Sequence, residues 1–307
     1  MKILNVSRND WANFAYANLK ALQAAGADAT GFKEMPHGFN YSGELQILSE
    51  IDIASKIKEA DIVQIFHSYE DYLPFCKGKK VIVYHTGTGY RQAPERANSI
   101  FNPNVEFCFS DQTEFMNLGA KGVRYITTAI DTENIYPQKY VGDKIRIGHF
   151  PSKIKGDLKG TSKIIDMLLE CKDKFDKENR FEIVIDTKQR PHPDYLKKLQ
   201  SVDIYVELFA PSQEGKEYGC YGVTAFEAAA MGKVVVTQNL HPEVYEKEFG
   251  ATELLYANSR ELFFQIMENL MESNSVQLQE KADKTRLWAV DKHSYKAMGK
   301  HLINILK

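Results

Sequence analysis

No stretch of this chain approaches the roughly 18 consecutive apolar residues that read as a membrane-spanning helix. Cysteine is scarce: 4 in 307 residues, and Cys76, Cys108, Cys171 and Cys220 form no CxxC pair. That spacing offers neither a disulfide framework nor a thiolate metal site, and it fits reduced core thiols in a cytoplasmic protein. Neither sign of charge is in excess, with 39 basic residues against 41 acidic ones. Global attraction to nucleic acid or anionic lipid is thereby excluded, and only a local basic groove stays open. With 19 glycines and 10 prolines the chain is neither collagen-like nor linker-like. The opening MKILNVSRNDW turns polar after six residues, too early for a signal peptide's apolar core. Several motifs are missing as well. There is no GxxxxGK(S/T), and no GxGxxG follows the first strand, which argues against a P-loop NTPase and weakens an NAD dehydrogenase. There is no GxSxG elbow, no HExxH and no DxD, so no dedicated metal site is indicated.

What is present is a repeated strand–helix alternation. At about 150 residues per domain, the length predicts two domains. Lys2 to Val6 reads as a buried strand, and Trp11, Phe14, Ala15, Leu19 and Leu22 follow at helical spacing up to Gly26. Residues 44–60 look helical, and strands are expected at 61–66, 80–84, 105–109 and 123–127. A segment at 138–143 without periodicity reads as a linker. Beyond it, strands are expected at 145–150, 181–185, 203–206 and 234–237, with helices at 160–175, 223–231, 258–272 and 294–306. Parallel strands need crossover helices, and this spacing supplies them. The fold class is therefore α/β, two Rossmann-like domains expected to face each other across a cleft. The expected boundaries are 1–138, 143–285 and a C-terminal helix at 286–307. Ligands of such sheets bind beyond the carboxyl ends of the strands.

Three loops could carry chemistry. The stretch EYGCYGVTAFEAAAMGKVVVT, residues 217–237, is a glycine-rich loop, a small-residue helix and a valine strand. Gly219 and Gly222 permit close approach of backbone to a ligand, and amides at the helix start favour anions. Glu227 lies inside that helix among apolar neighbours, where a carboxylate needs a partner: a ligand, or a neighbouring loop. The second loop, IGHFPSKIKGDLKGT at 147–161, is rich in lysine and fits either a diphosphate pocket or a solvated basic surface. The third, YHTGTGYR at 84–91, follows a strand directly. His85 there, and His67 at the end of another strand, are either ligand-facing groups or hydrogen-bonded core residues.

Together these stretches resemble a glycosyltransferase of the GT-B fold, near the large family 4 of retaining enzymes. YGVTAFEAAAMGKVVV is similar to that family's FGxxxxEAMAxGxPVV segment, KGT at 159–161 to its second donor signature, and HTGTGYR to its HGSxxR turn. The resemblance implies a hexosyl- or pentosyltransferase that takes its sugar from a UDP- or GDP-type donor, with no cofactor and no essential metal. It implies that Lys159 neutralises the departing diphosphate and that Glu227 binds the donor ribose. Ser152, Lys153, Gly219, Tyr221, Gly222, Val223 and Thr224 would complete the donor site. His85 would reach the sugar as a third catalytic residue, and Asn13, Thr86, Gly87 and Arg91 would lie on the acceptor side. The family's first glutamate, eight residues before the second, is replaced here by Gly219. The acceptor implied is a glycan, a lipid-linked glycan or a protein. An alternative is a phage-type enzyme acting on hydroxymethylated pyrimidines in DNA, with Lys77, Lys79, Lys80, Lys188, Arg190, Lys197 and Lys198 lining a groove. An alternative of another class is a nucleotide-sugar binder without turnover.

Overall fold

The computed structural model describes residues 1–137, 144–151, 157–213 and 215–307. The expected linker at 138–143 lies outside the described residues. The chain divides into two compact units, unit 1 being Met1–Asp131 with Lys292–Lys307 and unit 2 being Thr132–Asp291. The changeovers thus fall at Asp131 and Asp291 rather than at 138–143 and 286.

Unit 1 begins with β1 (Lys2–Ser7), α1 (Phe14–Ala24), β2 (Asp28–Lys33), β3 (Gln46–Ile47) and α2 (Glu50–Glu59). It continues through β4 (Ile62–Phe66), β5 (Lys80–His85), α3 (Gly87–Gln92), α4 (Pro94–Phe101), β6 (Phe107–Ser110) and β7 (Arg124–Tyr125). Its sheet runs β3-β2-β1-β4-β5-β6-β7, and every pairing is parallel. The chain builds outward from β1 in one direction and then returns to build from β4 in the other. The topological switch point is therefore between β1 and β4. Residues 44–60 are not one helix. Ser49 caps α2 by accepting a hydrogen bond from the Asp52 amide, and the preceding Gln46–Ile47 pairs with β2 as an edge strand. β2 itself (DATGFK) has no apolar run to announce it.

The middle of this sheet carries a closed polar network. Asn5 donates to Asn18 at 2.9 Å, Gln64 to Asn5 at 3.0 Å, Tyr84 to Gln64 at 2.6 Å, and Asn18 to Tyr84 at 2.8 Å. Buried polar groups are tolerated when paired this completely, and the pairing helps to specify the register of β1, β4 and β5.

Unit 2 comprises β8 (Ile145–His149), α5 (Thr161–Phe175), β9 (Phe181–Ile185), α6 (His192–Gln200) and β10 (Ile204–Val206). A short antiparallel hairpin of β11 (Ser212–Gln213) and β12 (Lys216–Glu217) follows, then α7 (Val223–Ala230) and β13 (Val234–Thr237). The unit closes with α8 (Pro242–Phe249), β14 (Leu255–Tyr256), α9 (Arg260–Glu272) and most of α10 (Ser275–His293). The sheet order is β14-β13-β10-β8-β9, all parallel, so its switch point is between β8 and β10. Ile147, Val206, Val234, Phe263 and Met267 belong to its core.

The last helix, α11 (Tyr295–Leu306), belongs to unit 1 and packs along α1. Close approach is possible because of Gly299, where a β-carbon would stand 1.9 Å from the Ala21 carbonyl oxygen.

Candidate functional site

The most distinctive chemistry of unit 2 sits at its switch point. β8 ends in His149, which is fully buried. Its Nδ1–H donates to the Val206 carbonyl at 2.8 Å, and its Nε2 accepts from the Thr161 hydroxyl at 3.0 Å. One imidazole thus pins β8, the end of β10 and the start of α5. Burial lowers its pKa and keeps it neutral in that role.

Directly after β10 comes Glu207, a carboxylate in the apolar run IYVELFA. Its side chain is 0% exposed and forms an ion pair with Lys159, whose side chain keeps 25% exposure. The Thr224 hydroxyl donates to Oε1 at 3.1 Å and the Thr237 hydroxyl to Oε2 at 2.8 Å. The Gly222 amide also bonds this carboxylate. Burial penalises both charges, but each outweighs the other's penalty: Lys159 stays above, and Glu207 below, its ordinary pKa.

Two glycines make this pairing possible. Gly160, at φ 68°, crosses so tightly that a β-carbon would lie 1.8 Å from the Phe209 carbonyl oxygen. The Lys159 carbonyl accepts from the Phe209 amide at 3.1 Å. At Gly222 a β-carbon would stand 3.2 Å from both Glu207 Oε1 and Lys159 Nζ. The start of α5 is already occupied by the Asp157 carboxylate, which accepts from the Thr161 and Ser162 amides at 2.5 and 3.3 Å. Lys159 instead stands beside the start of α7, where Gly222, Val223 and Thr224 are half-buried.

The structure sorts the residues expected on the donor side. Lys159, Gly222 and Thr224 meet around Glu207, which the sequence reading does not single out. The signal for it is present, a carboxylate embedded in an apolar run that must find partners. Gly219 is at φ 81°, and a β-carbon there would come within 2.9 Å of Gln238 Nε2 and 3.0 Å of Leu208. A side chain there would be strained by the left-handed backbone and would have to displace those two side chains. Gln238 fills the space, bonding the Ala210, Tyr218 and Gly219 carbonyls and the Ala210 amide. Tyr221 is a core ring and not a surface contact, being 3% exposed and stacked on Tyr256. Glu227 is buried against α6, with Oε1 2.6 Å from His192 Nε2. Burial disfavours a charged His192, but the Glu227 carboxylate more than compensates and raises its pKa. Ser152 and Lys153 lie outside the described residues.

In unit 1 the expected residues separate. His85 is 0% exposed, stacked on Tyr90 at 4.1 Å, with Nδ1 2.8 Å from the Ser68 hydroxyl. Burial pulls its pKa down to about 4. It is a buried histidine, with aromatic residues of the following helices packed against its ring. Arg91 is bonded to Glu114 at 2.7 Å and lies over the Phe115 ring. Asn13 donates to the Gly43 carbonyl at 2.8 Å. Thr86 is half-buried, its hydroxyl 2.6 Å from His67 Nδ1, and Gly87 is exposed at φ 64°.

The β1/β4 switch point itself opens into a cavity of about 300 Å³ lined by Ser7, Arg8, Asn9, Trp11, Met35 and His67, among others. Trp11 is 51% exposed there, and Arg8 lies over the Tyr69 ring at 5.4 Å. Asp10, Ala12, Asn13, His67 and Ser68 all take positive φ. Such strain gathers where a fold is shaped for function. Asp10 holds the start of α1 through the Ala15 and Tyr16 amides at 2.7 and 3.1 Å.

Of the basic residues suggested for a DNA groove, Lys77, Lys188 and Lys197 are exposed, and several are engaged within the protein. Lys79 donates to the Lys58 and Ala60 carbonyls, Lys80 to that of Leu306, Arg190 to Asp186 and Lys197 to Asp194. Among the described residues no helix is long and apolar enough to cross a membrane, and no three His, Cys, Asp or Glu side chains gather as a metal-ligand group. Nor is any of the four cysteines in a disulfide.

No family model and no curated protein sequence matches the chain. Solved structures do. HepE of Anabaena, determined with UDP and glucose, aligns at TM-score 0.66 and 12% identity over 100% of this chain and 99% of its own. The sucrose-phosphate synthase of Thermosynechococcus elongatus aligns at 0.59 and 10%, covering 100% and 98%. A Listeria monocytogenes protein assigned as a UDP-N-acetylglucosamine 2-epimerase aligns at 0.55 and 13%, covering 100% and 95%. The fold is thus the GT-B fold of two Rossmann-like domains. At these identities the likeness carries the architecture, and the reaction must be argued from the site.

Proposed function

We propose that this protein is a glycosyltransferase that moves a sugar from a nucleoside-diphosphate sugar to an acceptor hydroxyl, with retention at the anomeric carbon. The observation that carries the reading is Lys159, partly exposed at the β8/β10 switch point and flanked by Gly222 and the start of α7. A cation beside backbone amides at the carboxyl edge of a parallel sheet suits a diphosphate. As the bond from the anomeric carbon to the diphosphate oxygen breaks, negative charge grows on that oxygen. We assign its stabilisation to Lys159 and the Val223 and Thr224 amides, the Gly222 amide being held by Glu207, without an essential metal. The acceptor oxygen bonds to the same face of the carbon, and its proton passes to the departing diphosphate. Retention is supported by the sequence resemblance and by the family-like segment that forms α7. Glu227, held by His192, is the residue we assign to the donor ribose. The UDP and UDP-glucose complexes of HepE make uridine donors the first to try.

We assign the acceptor to the unit 1 cavity. Its exposed Trp11 and polar lining suit a sugar ring, and two of the lysines a DNA groove would use, Lys79 and Lys80, are bonded to backbone carbonyls. A cytoplasmic setting fits the reduced, buried thiols.

The test is incubation with a panel of nucleotide sugars and oligosaccharide acceptors, read by mass spectrometry. Release of nucleoside diphosphate with a new glycoside supports transfer. Bound but unaltered donor across the panel would show a binding protein, and inversion of configuration in the product would overturn the retaining assignment.

A further inference from the structure

A nucleoside diphosphate carries more negative charge than the sugar donor it comes from, so a cradle made only of a lysine and backbone amides holds the product more firmly than the donor. Product release is a common limit on enzyme turnover. This cradle is not made that way, because a second charge is buried beneath it. Glu207 approaches Lys159 from the protein side, is wholly removed from solvent, and is held by four separate elements. Thr224 on α7 and Thr237 on β13 each give it a hydroxyl, the loop gives it the Gly222 amide, and Lys159 gives it its charge. Nothing in this arrangement lets the carboxylate swing away. Gly222 has no side chain to screen it: a β-carbon there would lie 3.2 Å from both charged atoms.

We infer that Glu207 is a positioning residue and internal counter-anion, which fixes the Lys159 ammonium in the crevice while weakening its hold on the departing nucleoside diphosphate. The inference rests on reading this crevice as the diphosphate site. An arriving diphosphate meets a lysine already half neutralised and a fixed negative charge a few ångströms behind it. Affinity is lower than for a free lysine, and the product leaves.

Glu207→Gln is the informative substitution. The amide keeps the shape: its oxygen accepts from Lys159, Thr224 and Gly222, and its nitrogen donates to the Thr237 hydroxyl. Only the charge is removed. Inorganic pyrophosphate, which has no base or sugar to confuse the result, is titrated calorimetrically into the full chain at fixed ionic strength. Glu207→Gln is expected to bind it about tenfold more tightly than the unsubstituted protein. Thr237→Val, which loosens the carboxylate but keeps its charge, is expected to bind as the unsubstituted protein does. In steady-state transfer Glu207→Gln lowers donor KM and kcat together while its single-turnover rate holds.

Equal or weaker pyrophosphate binding by Glu207→Gln overturns the counter-anion role, as does a gain in Thr237→Val that matches it. Lys159→Ala separates the two levels. If it loses pyrophosphate while Glu207→Gln gains nothing, the inference fails and the diphosphate site stands. If Lys159→Ala binds pyrophosphate as well as the unsubstituted protein, the site assignment falls and the inference with it.

Discussion

At the β1/β4 switch point the polar groups are Ser7, Asn9, an exposed Arg8 over Tyr69, and His67, whose Nε2 lies 3.7 Å from the buried Asp10 carboxylate. At the β8/β10 switch point they are an opposed pair of full charges, Lys159 and Glu207, beneath a bare glycine. Both crevices arise from the same topological event, a sheet that grows one way from its first strand and then the other. Topology places a crevice, and the loops leaving the strands decide its chemistry. In unit 1 the loops are strained, with six non-glycine residues at positive φ, and expose an indole. In unit 2 the crossing at Gly160 lets two charged side chains converge from loops 48 residues apart in sequence.

The sharpest way to break the comparison is to remove the close crossing in one unit at a time. Gly160→Ala forces a β-carbon onto a carbonyl in unit 2, and Gly299→Ala does so between α1 and α11 in unit 1. Each is expected to cost more than about 4 kcal/mol, measured as a fall in thermal midpoint. Hydrogen exchange should show the loss beginning in the unit that carries the substitution. Lys159→Ala comes next. Transfer is expected to drop about a hundredfold or more through loss of charge stabilisation. Glu207, left buried without its cation, should cost about 3 kcal/mol of stability. Unchanged kcat with every donor would count against the site.

Two histidines sharpen the comparison by pH. His85 in unit 1 has its pKa pulled down to about 4, so the unfolded chain takes up its proton first as pH falls below 6.5. Its contribution is present above that value and is lost toward pH 4, by up to roughly 3 kcal/mol. His192 in unit 2 is shifted the other way by Glu227. Its contribution is full below pH 6.5 and lost as pH rises through the raised value. Thermal midpoints across pH 4–9 should show less acid sensitivity in His85→Gln and a smaller alkaline decline in His192→Gln. Superimposable profiles for all three proteins would refute both assignments. The smallest effect is expected from Trp11→Ala, about a tenfold rise in acceptor KM with donor affinity unchanged. A change in donor binding instead would argue that the unit 1 cavity is not an acceptor site.

Most of the sheet is readable from the chain because its central strands are short apolar runs bounded by polar turns, as at 62–66, 80–84 and 234–236. The failures have local causes. DATGFK makes a strand without an apolar run: Ala29 is small and buried, and at Gly31 a β-carbon would stand 2.7 Å from Leu45. Leu45, Ile47 and Leu48 fall at spacings that suit a helix, yet Ser49 starts the helix only after them. Lys159 is visible through a motif, but its partner is fixed only when β10 comes to lie beside β8. His85 illustrates the reverse: a strand-end histidine resembles a site residue until Tyr90 and Phe101 fold over it.

The return of α11 to α1 has a consequence for how the chain is made. Residues 132–291 leave the ribosome as an uninterrupted block that can collapse on its own core. The residues before them must wait for 292–307 before α1 is covered. The half synthesised first is therefore the half completed last. Until Gly299 reaches the Ala21 carbonyl, nascent unit 1 carries the open face of α1.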